Sequence, residues 1–307
     1  MGDAPNTTVT VFTQLFAAFD DNLMGMISSG SANIISLITP LMAAGFAIYV
    51  LLILLSYWRG TNDEPVSDFL KRMAAWTAIL TFGMNISYYS DYVVPFFNGL
   101  GDDLARALSG TPSTGSALDS ITTAYVQAMV KIYQEASGIE DTMNAIAFVF
   151  VTLLFALPFI AIAAAYIILA KFALGLLLAL GPAFIAAALF PATRRLFDSW
   201  AGQCLNYGIL VALFAAAGML EIRFAQTIVP TDITILSLFQ LVMMGIAFVI
   251  ISLNLPSLAS QLAGGVGISS MVGKLSGVGR LAAALGKGAS GGGGSSPNSS
   301  GGQIKGK

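Results

Sequence analysis

Few residues of this chain are placed to do chemistry. Histidine is absent, which removes the usual general base, metal ligand and pH switch. The single cysteine, Cys204, lies in an apolar run, can form no intrachain disulfide, and reads as a small buried hydrophobe. The chain has no HExxH pair and no glycine-rich phosphate loop closing on Lys-Ser or Lys-Thr. No pair of carboxylates falls inside an apolar run. Glu221 and Arg223 sit at the end of one, where an interfacial charge needs no further role. Asp91 has a similar position, with a place on a transport pathway as the alternative. The densest polar cluster closes another apolar stretch: Pro191, Arg194, Arg195, Asp198 and Trp200. The two arginines read as anchors on one side of a membrane, or as a docking point for a cytoplasmic partner. Trp200 reads as a residue of the aromatic belt. No catalytic, cofactor-binding or metal-binding residue is predicted, and no enzymatic activity.

The elements that must carry these residues are apolar helices. Of 307 residues, 56% are hydrophobic and 10% charged. A soluble domain carries about 25% charged residues. An all-α, polytopic integral membrane protein follows. The net charge of −2 gives no nucleic-acid surface. The N-terminus is not a signal peptide, since its first cation is Arg59. Asn6 stands where a myristoylation signal needs Ser or Thr.

Residues 8–28 repeat Phe12, Leu15, Phe16, Phe19, Leu23 and Ile27 at helical spacing, with polar residues between them. This predicts an outer amphipathic helix that lies on the membrane or packs on a partner. Phe12, Phe16 and Phe19 are its contact candidates. About five spans are predicted, over 32–58, 73–94, 143–170, 204–220 and 235–255. Residues 95–142 form one long hydrophilic connection. Gly110-Thr-Pro-Ser-Thr-Gly-Ser divides it into two short helices. The second helix carries Ile121, Tyr125, Met129, Ile132 and Tyr133 on one face; Tyr125, Met129 and Tyr133 are further contact candidates. Gly208, Ala212 and Ala216 form a small-residue ladder suited to close helix approach. The domain reading is an outer helix over 1–30, a membrane domain over 31–258, and a flexible Gly/Ser-rich cytoplasmic tail over 259–307.

The stretch 171–203 decides the predicted topology. Gly181-Pro182 interrupts its apolar run of about 19 residues, just enough to span. If the run turns back there as a re-entrant helical hairpin (172–190), Arg59, Lys71, Arg72, Lys171, Arg194 and Arg195 lie inside. Arg106, Lys131 and Arg223 then lie outside. If the run spans, the cations divide almost evenly. The positive-inside rule favours the hairpin. The N-terminus and residues 95–142 are then periplasmic and the C-terminus cytoplasmic. Non-helical backbone at membrane depth must be buried in protein or face water. The Gly181-Pro182 break is therefore predicted at a subunit interface or a central cavity. No intramembrane charge and no internal repeat marks a coupled transporter.

The order Gly181-Pro182, Leu189-Phe190-Pro191, Thr193-Arg194-Arg195-Leu196-Phe197, Trp200 and Leu205-Asn206-Tyr207 resembles the TrbL-like polytopic inner-membrane subunit of bacterial type IV secretion and conjugation systems. The likeness is sharpest over residues 171–220. Pro191, Arg194, Phe197 and Trp200 match the family motif, beside Gly181, Pro182 and Arg195, and a structural role is inferred for them. The resemblance implies a structural or channel subunit supporting DNA or protein translocation and pilus assembly. It implies a homo-oligomeric ring, a pentamer, at the base of a periplasmic stalk. Implied partners are membrane lipid, the minor and major pilins, the bitopic arch subunit, the small membrane subunit with its ATPase, and the envelope-spanning scaffold subunit. Single-stranded DNA or a protein substrate would pass transiently. The residues alone leave a self-contained channel or small-solute transporter as the alternative.

Overall fold

Two helices of unusual length organise the chain. The computed structural model describes residues 8–60, 66–228 and 235–263. Helix α1 (Val11–Trp58) has 48 residues and α6 (Ile139–Ala187) has 49. At about 1.5 Å per residue each runs roughly 72 Å, more than twice a hydrocarbon core of about 30 Å. Between them lie α2 (Val66–Met84), the short α3 (Ile86–Tyr88), a π-helical turn (Tyr89–Val93), α4 (Val94–Ser109) and α5 (Thr114–Glu135). Helices α7 (Arg194–Ile228) and α8 (Ile235–Leu262) follow, and the described residues contain no strand. Four helices among them are long and apolar enough to cross a membrane: Val11–Trp58, Asp141–Ala187, Arg194–Phe224 and Phe239–Leu262.

Helix α1 lies along the second half of α6 in the same direction. Asp20 meets Lys171, and added Cβ atoms at Gly175, Gly30 and Gly45 would touch Leu23, Ala179 and Phe190 in turn. Helix α7 returns antiparallel and packs against α4. A Cβ at Gly208 would lie 3.0 Å from Leu100, and one at Gly101 would lie 3.0 Å from Val211. The small residues of α7 thus permit the close approach that their spacing predicts.

Several expectations need correction. Residues 8–28 and 32–58 are one helix, not an outer helix and a separate span. The span expected over 73–94 is interrupted. Asn85 takes an extended backbone, and its side chain accepts hydrogen bonds from the Ser87 and Tyr88 amides, so it starts a new helix instead of continuing α2. The run 172–190 is no hairpin bent at Gly181-Pro182, because α6 passes through that pair and ends at Ala187. The reversal comes at 188–193. There the Thr193 hydroxyl donates to the Ala187 carbonyl at 2.7 Å, satisfying one orphan of the helix end. Residues 95–142 do hold two helices, divided by Gly110 in the left-handed region (φ 74°) and by a Ser113–Ser116 capping box. The tail from residue 264 lies outside the described residues.

Candidate functional site

Three structural knots surround the second half of α6. The first is a charge cluster. Lys171 lies at the middle of a long apolar helix and is 5% exposed. Its ammonium donates to Asp20 Oδ2 at 2.7 Å and to Asp102 Oδ2 at 3.3 Å. The other oxygen of Asp102 accepts from the Thr114 amide at 2.9 Å and the Thr114 hydroxyl at 2.5 Å. Helices α1, α4, α5 and α6 therefore meet at one cation. Burial pushes the Asp102 carboxyl up, but the Lys171 ammonium and the Thr114 hydrogen bonds outweigh it and hold the group below its ordinary value. Asp20 Oδ1 is buried without a hydrogen-bond partner, so the cluster keeps one acceptor in reserve.

The second knot explains Gly181-Pro182. Proline at 182 has no N–H, which leaves the Leu178 carbonyl without its helical donor. The buried Tyr89 hydroxyl from the π-helical turn donates to that carbonyl. Trp200 Nε1 donates to the neighbouring Leu177 carbonyl at 2.8 Å. Glycine at 181 makes the room: a Cβ there would collide with the Tyr89 hydroxyl and lie 2.9 Å from Trp200. The pair is thus a docking point for two aromatic side chains of the same chain. It is not an open break at a subunit interface or cavity.

The third knot fixes the start of α1. Both oxygens of Asp119 on α5 accept from the Phe12 and Thr13 amides at 2.9 Å, and the Thr123 hydroxyl accepts from the Val9 amide at 3.0 Å. Asp119 is an N-cap supplied from a distant helix. Nearby, Glu221 is fully buried and accepts from the Tyr125 hydroxyl at 2.9 Å, so it is no interfacial charge.

Residues 46–255 match the family described as TrbL/VirB6 plasmid conjugal transfer protein. This chain belongs to the TrbL/VirB6 family. It is 27% identical to the type IV secretion system protein VirB6 of Bartonella henselae over 264 residues, covering 81% of this chain and 79% of the relative. The protein of the same name from Bartonella quintana is 26% identical over the same shares. That from Brucella abortus is 26% identical over 206 residues, 64% of this chain and 58% of its own. Being TrbL/VirB6-like and rich in long apolar helices, the chain is a multi-pass membrane protein.

The TrbL/VirB6 match contains Gly181, Pro182, Pro191, Arg194, Arg195, Phe197 and Trp200, and the fold gathers them around the end of α6. Gly181, Pro182 and Trp200 are buried together. Trp200 is 3% exposed and stacks on Phe184, which corrects its reading as a belt residue. Pro191, Arg194 and Arg195 are exposed at the corner, with Phe197 half-buried. Phe12, Phe16 and Phe19 lie outside the match. Phe16 and Tyr125 are buried within the chain itself, Phe12, Phe19 and Met129 are half-buried, and Tyr133 is 65% exposed. Cys204 is buried, as its neighbours predict. Sequence reasoning missed Lys171, Asp20, Asp102 and Tyr89. Their only signal is that a lysine interrupts an apolar run.

Proposed function

We propose that this chain is the polytopic inner-membrane subunit of a type IV secretion system, supporting DNA or protein translocation and pilus assembly. Family membership over residues 46–255 carries the reading. The relatives named type IV secretion system protein VirB6 support it. The subunit forms a homo-oligomeric ring, a pentamer, at the base of a periplasmic stalk. It meets the pilins, the arch subunit, the ATPase-linked membrane subunit and the scaffold subunit. The N-terminus and residues 95–142 are periplasmic, and the corner bearing Arg194 and Arg195 is cytoplasmic. The contact of Lys171 with Asp20 and Asp102 supports one change to the sequence-based topology: Lys171 belongs with the periplasmic elements. The exposed Tyr133 is the strongest remaining partner contact.

Deletion and complementation test the reading directly. Loss of the gene should abolish transfer of DNA or effector, and the plasmid-borne gene should restore it; unchanged transfer would sink the proposal. In a Cys204→Ala background, Tyr133→Cys should crosslink to a neighbouring subunit in cells. Alkaline phosphatase fused after Ser116 should be active and after Arg195 inactive. An active fusion after Arg195 reverses the orientation.

One observation favours the second reading, a self-contained channel or small-solute transporter. The fully buried Glu221, on a helix long and apolar enough to cross a membrane, is the kind of intramembrane charge that marks transport pathways. Solute or proton flux from the purified protein alone in liposomes separates the two readings.

A further inference from the structure

Apolar surface is left open near both ends of α6. Where α6 begins, Ile139, Met143 and Phe150 of α6 and Leu236, Phe239 and Met243 of α8 are each more than half exposed. At the far end, Leu41 and Ile48 of α1 are more than half exposed too. Gly45 between them lies against Phe190, just past the end of α6. From Phe150 to Ala187 the helix runs about 55 Å. A hydrocarbon core is about 30 Å thick, and a bilayer with its headgroups about 40–45 Å. One bilayer therefore cannot cover both surfaces. A belt of charge lies between them: Lys171 with Asp20 and Asp102, and the exposed pair Asp103 and Arg106. The cations decide which surface the bilayer takes. The exposed Trp58 and then Arg59 close α1 at the far end, and Arg194 and Arg195 start α7 at that end. The positive-inside rule and the aromatic belt put the bilayer there. The α6–α8 surface then lies beyond the bilayer, where exposed apolar area of this kind marks a contact with protein.

Height, direction and facing select a second copy of this chain as that protein. A Cβ at Gly245 would lie 2.5 Å from Phe155, and the Phe248 ring sits 5.7 Å from that of Phe159. Helix α8 therefore runs in the same direction as α6, and Phe239 stands level with Phe150. Phe148 and Phe159 of α6, and Leu241 and Phe248 of α8, are buried on the sides where the two helices meet. The helical period puts Phe150 and Phe239 on the opposite sides, each facing away from the other helix. The chain thus shows two apolar faces in opposite directions, at one height, on parallel helices. Copies related by rotation about an axis along the helices keep that height and direction. A head-to-tail contact then repeats from copy to copy and closes into a ring. We propose that the α6 face around Phe150 of one copy seats on the α8 face around Phe239 of the next, above the bilayer. The inference rests on the homo-oligomeric reading given above and adds the surfaces that carry it. The contact is aliphatic and aromatic packing, with no charge among its six leading residues.

Crosslinking between two tagged copies reads the contact directly. Both carry Cys204→Ala, one with Phe150→Cys and the other with Phe239→Cys, and they are co-expressed with the rest of the secretion system. A short bismaleimide added to the membranes should join both tags in one adduct, at a yield several-fold above that of Phe150→Cys with itself. Charge gives a readout without thiols. Phe150→Lys alone and Phe239→Glu alone should each shift the protein to smaller species in a native gel. The two together in one chain should restore the ring, because each new lysine meets the new glutamate of the next copy. Failure of the double variant to recover overturns the proposal. So does labelling of both cysteines by a photoactivatable phospholipid with no adduct between copies, which gives the surface to lipid. An adduct with a different protein in place of a copy gives it to another subunit. A ring that persists in the native gel with no Phe150–Phe239 adduct sinks these surfaces but leaves the homo-oligomeric reading standing. A monomer in cells that still transfer substrate removes that reading as well.

Discussion

Removing the ammonium of Lys171 leaves the half-buried Asp20 and Asp102 carboxylates beside each other with no cation between them. Breaking a fully buried ion pair costs about 3–5 kcal/mol, an upper bound for these partly exposed carboxylates. Lys171→Met should therefore lower the melting temperature in detergent sharply, and adding Asp20→Asn and Asp102→Asn should recover most of the loss. A Lys171→Met protein that melts with the parent would show that the cluster contributes nothing. Acid should act at the same place. The folded carboxyl of Asp102 lies below its ordinary value of 3.8, so its contribution is present above that pH and is lost as pH falls through the folded value. The melting temperature should owe no change to this group between pH 8 and 5 and should fall below about pH 4, a limb that Asp102→Asn removes. None of this was legible in the sequence. The partners of Lys171 lie 151 and 69 residues away, and no local spacing rule joins them. Alone, a lysine beside an apolar run looks like an interfacial anchor.

At the scale of the element, α6 passes through Pro182 because another part of the chain repairs what that proline removes. Tyr89→Phe leaves the Leu178 carbonyl buried without a donor, at a cost of about 1–3 kcal/mol. Gly181→Leu should cost more, since both Tyr89 and Trp200 must move. Unfolding of the purified protein followed by tryptophan fluorescence ranks the two variants; equal stability in Tyr89→Phe would remove the repair from the account. Helix α1 depends in the same way on a borrowed cap. Asp119→Ala should cost about 1 kcal/mol. Hydrogen exchange should rise at Phe12 and Thr13 and stay unchanged in α7. Sequence pattern found the apolar helices, the division at Gly110–Ser113 and the burial of Cys204. It misplaced the ends of α6 because proline-glycine rules describe an isolated helix. The Tyr89 hydroxyl that overrides them comes from 89 residues upstream.

At the scale of the molecule, α1 has a long face that the other described residues do not cover. Leu37 and Leu41 are 72% and 73% exposed, and Ile48 and Leu52 each 59%. Lipid or a neighbouring copy must cover such a stripe. In a Cys204→Ala background, Leu41→Cys should form a dimer on oxidation in the membrane if copies meet there, whereas labelling only by a lipid-soluble maleimide assigns the face to lipid. Composition announced an all-helical membrane protein; it could not count the crossings, because helices of about 72 Å outrun the bilayer that the counting assumes. The contacts of α1 also impose an order of manufacture. Helix α1 leaves the ribosome before its cap at Asp119 and its counter-ion at Lys171, which follow more than a hundred residues later. Until then it waits in the bilayer unanchored, as distant pairings must. A sister chain synthesised alongside could seize it during that interval, so α1 is open to exchange between copies.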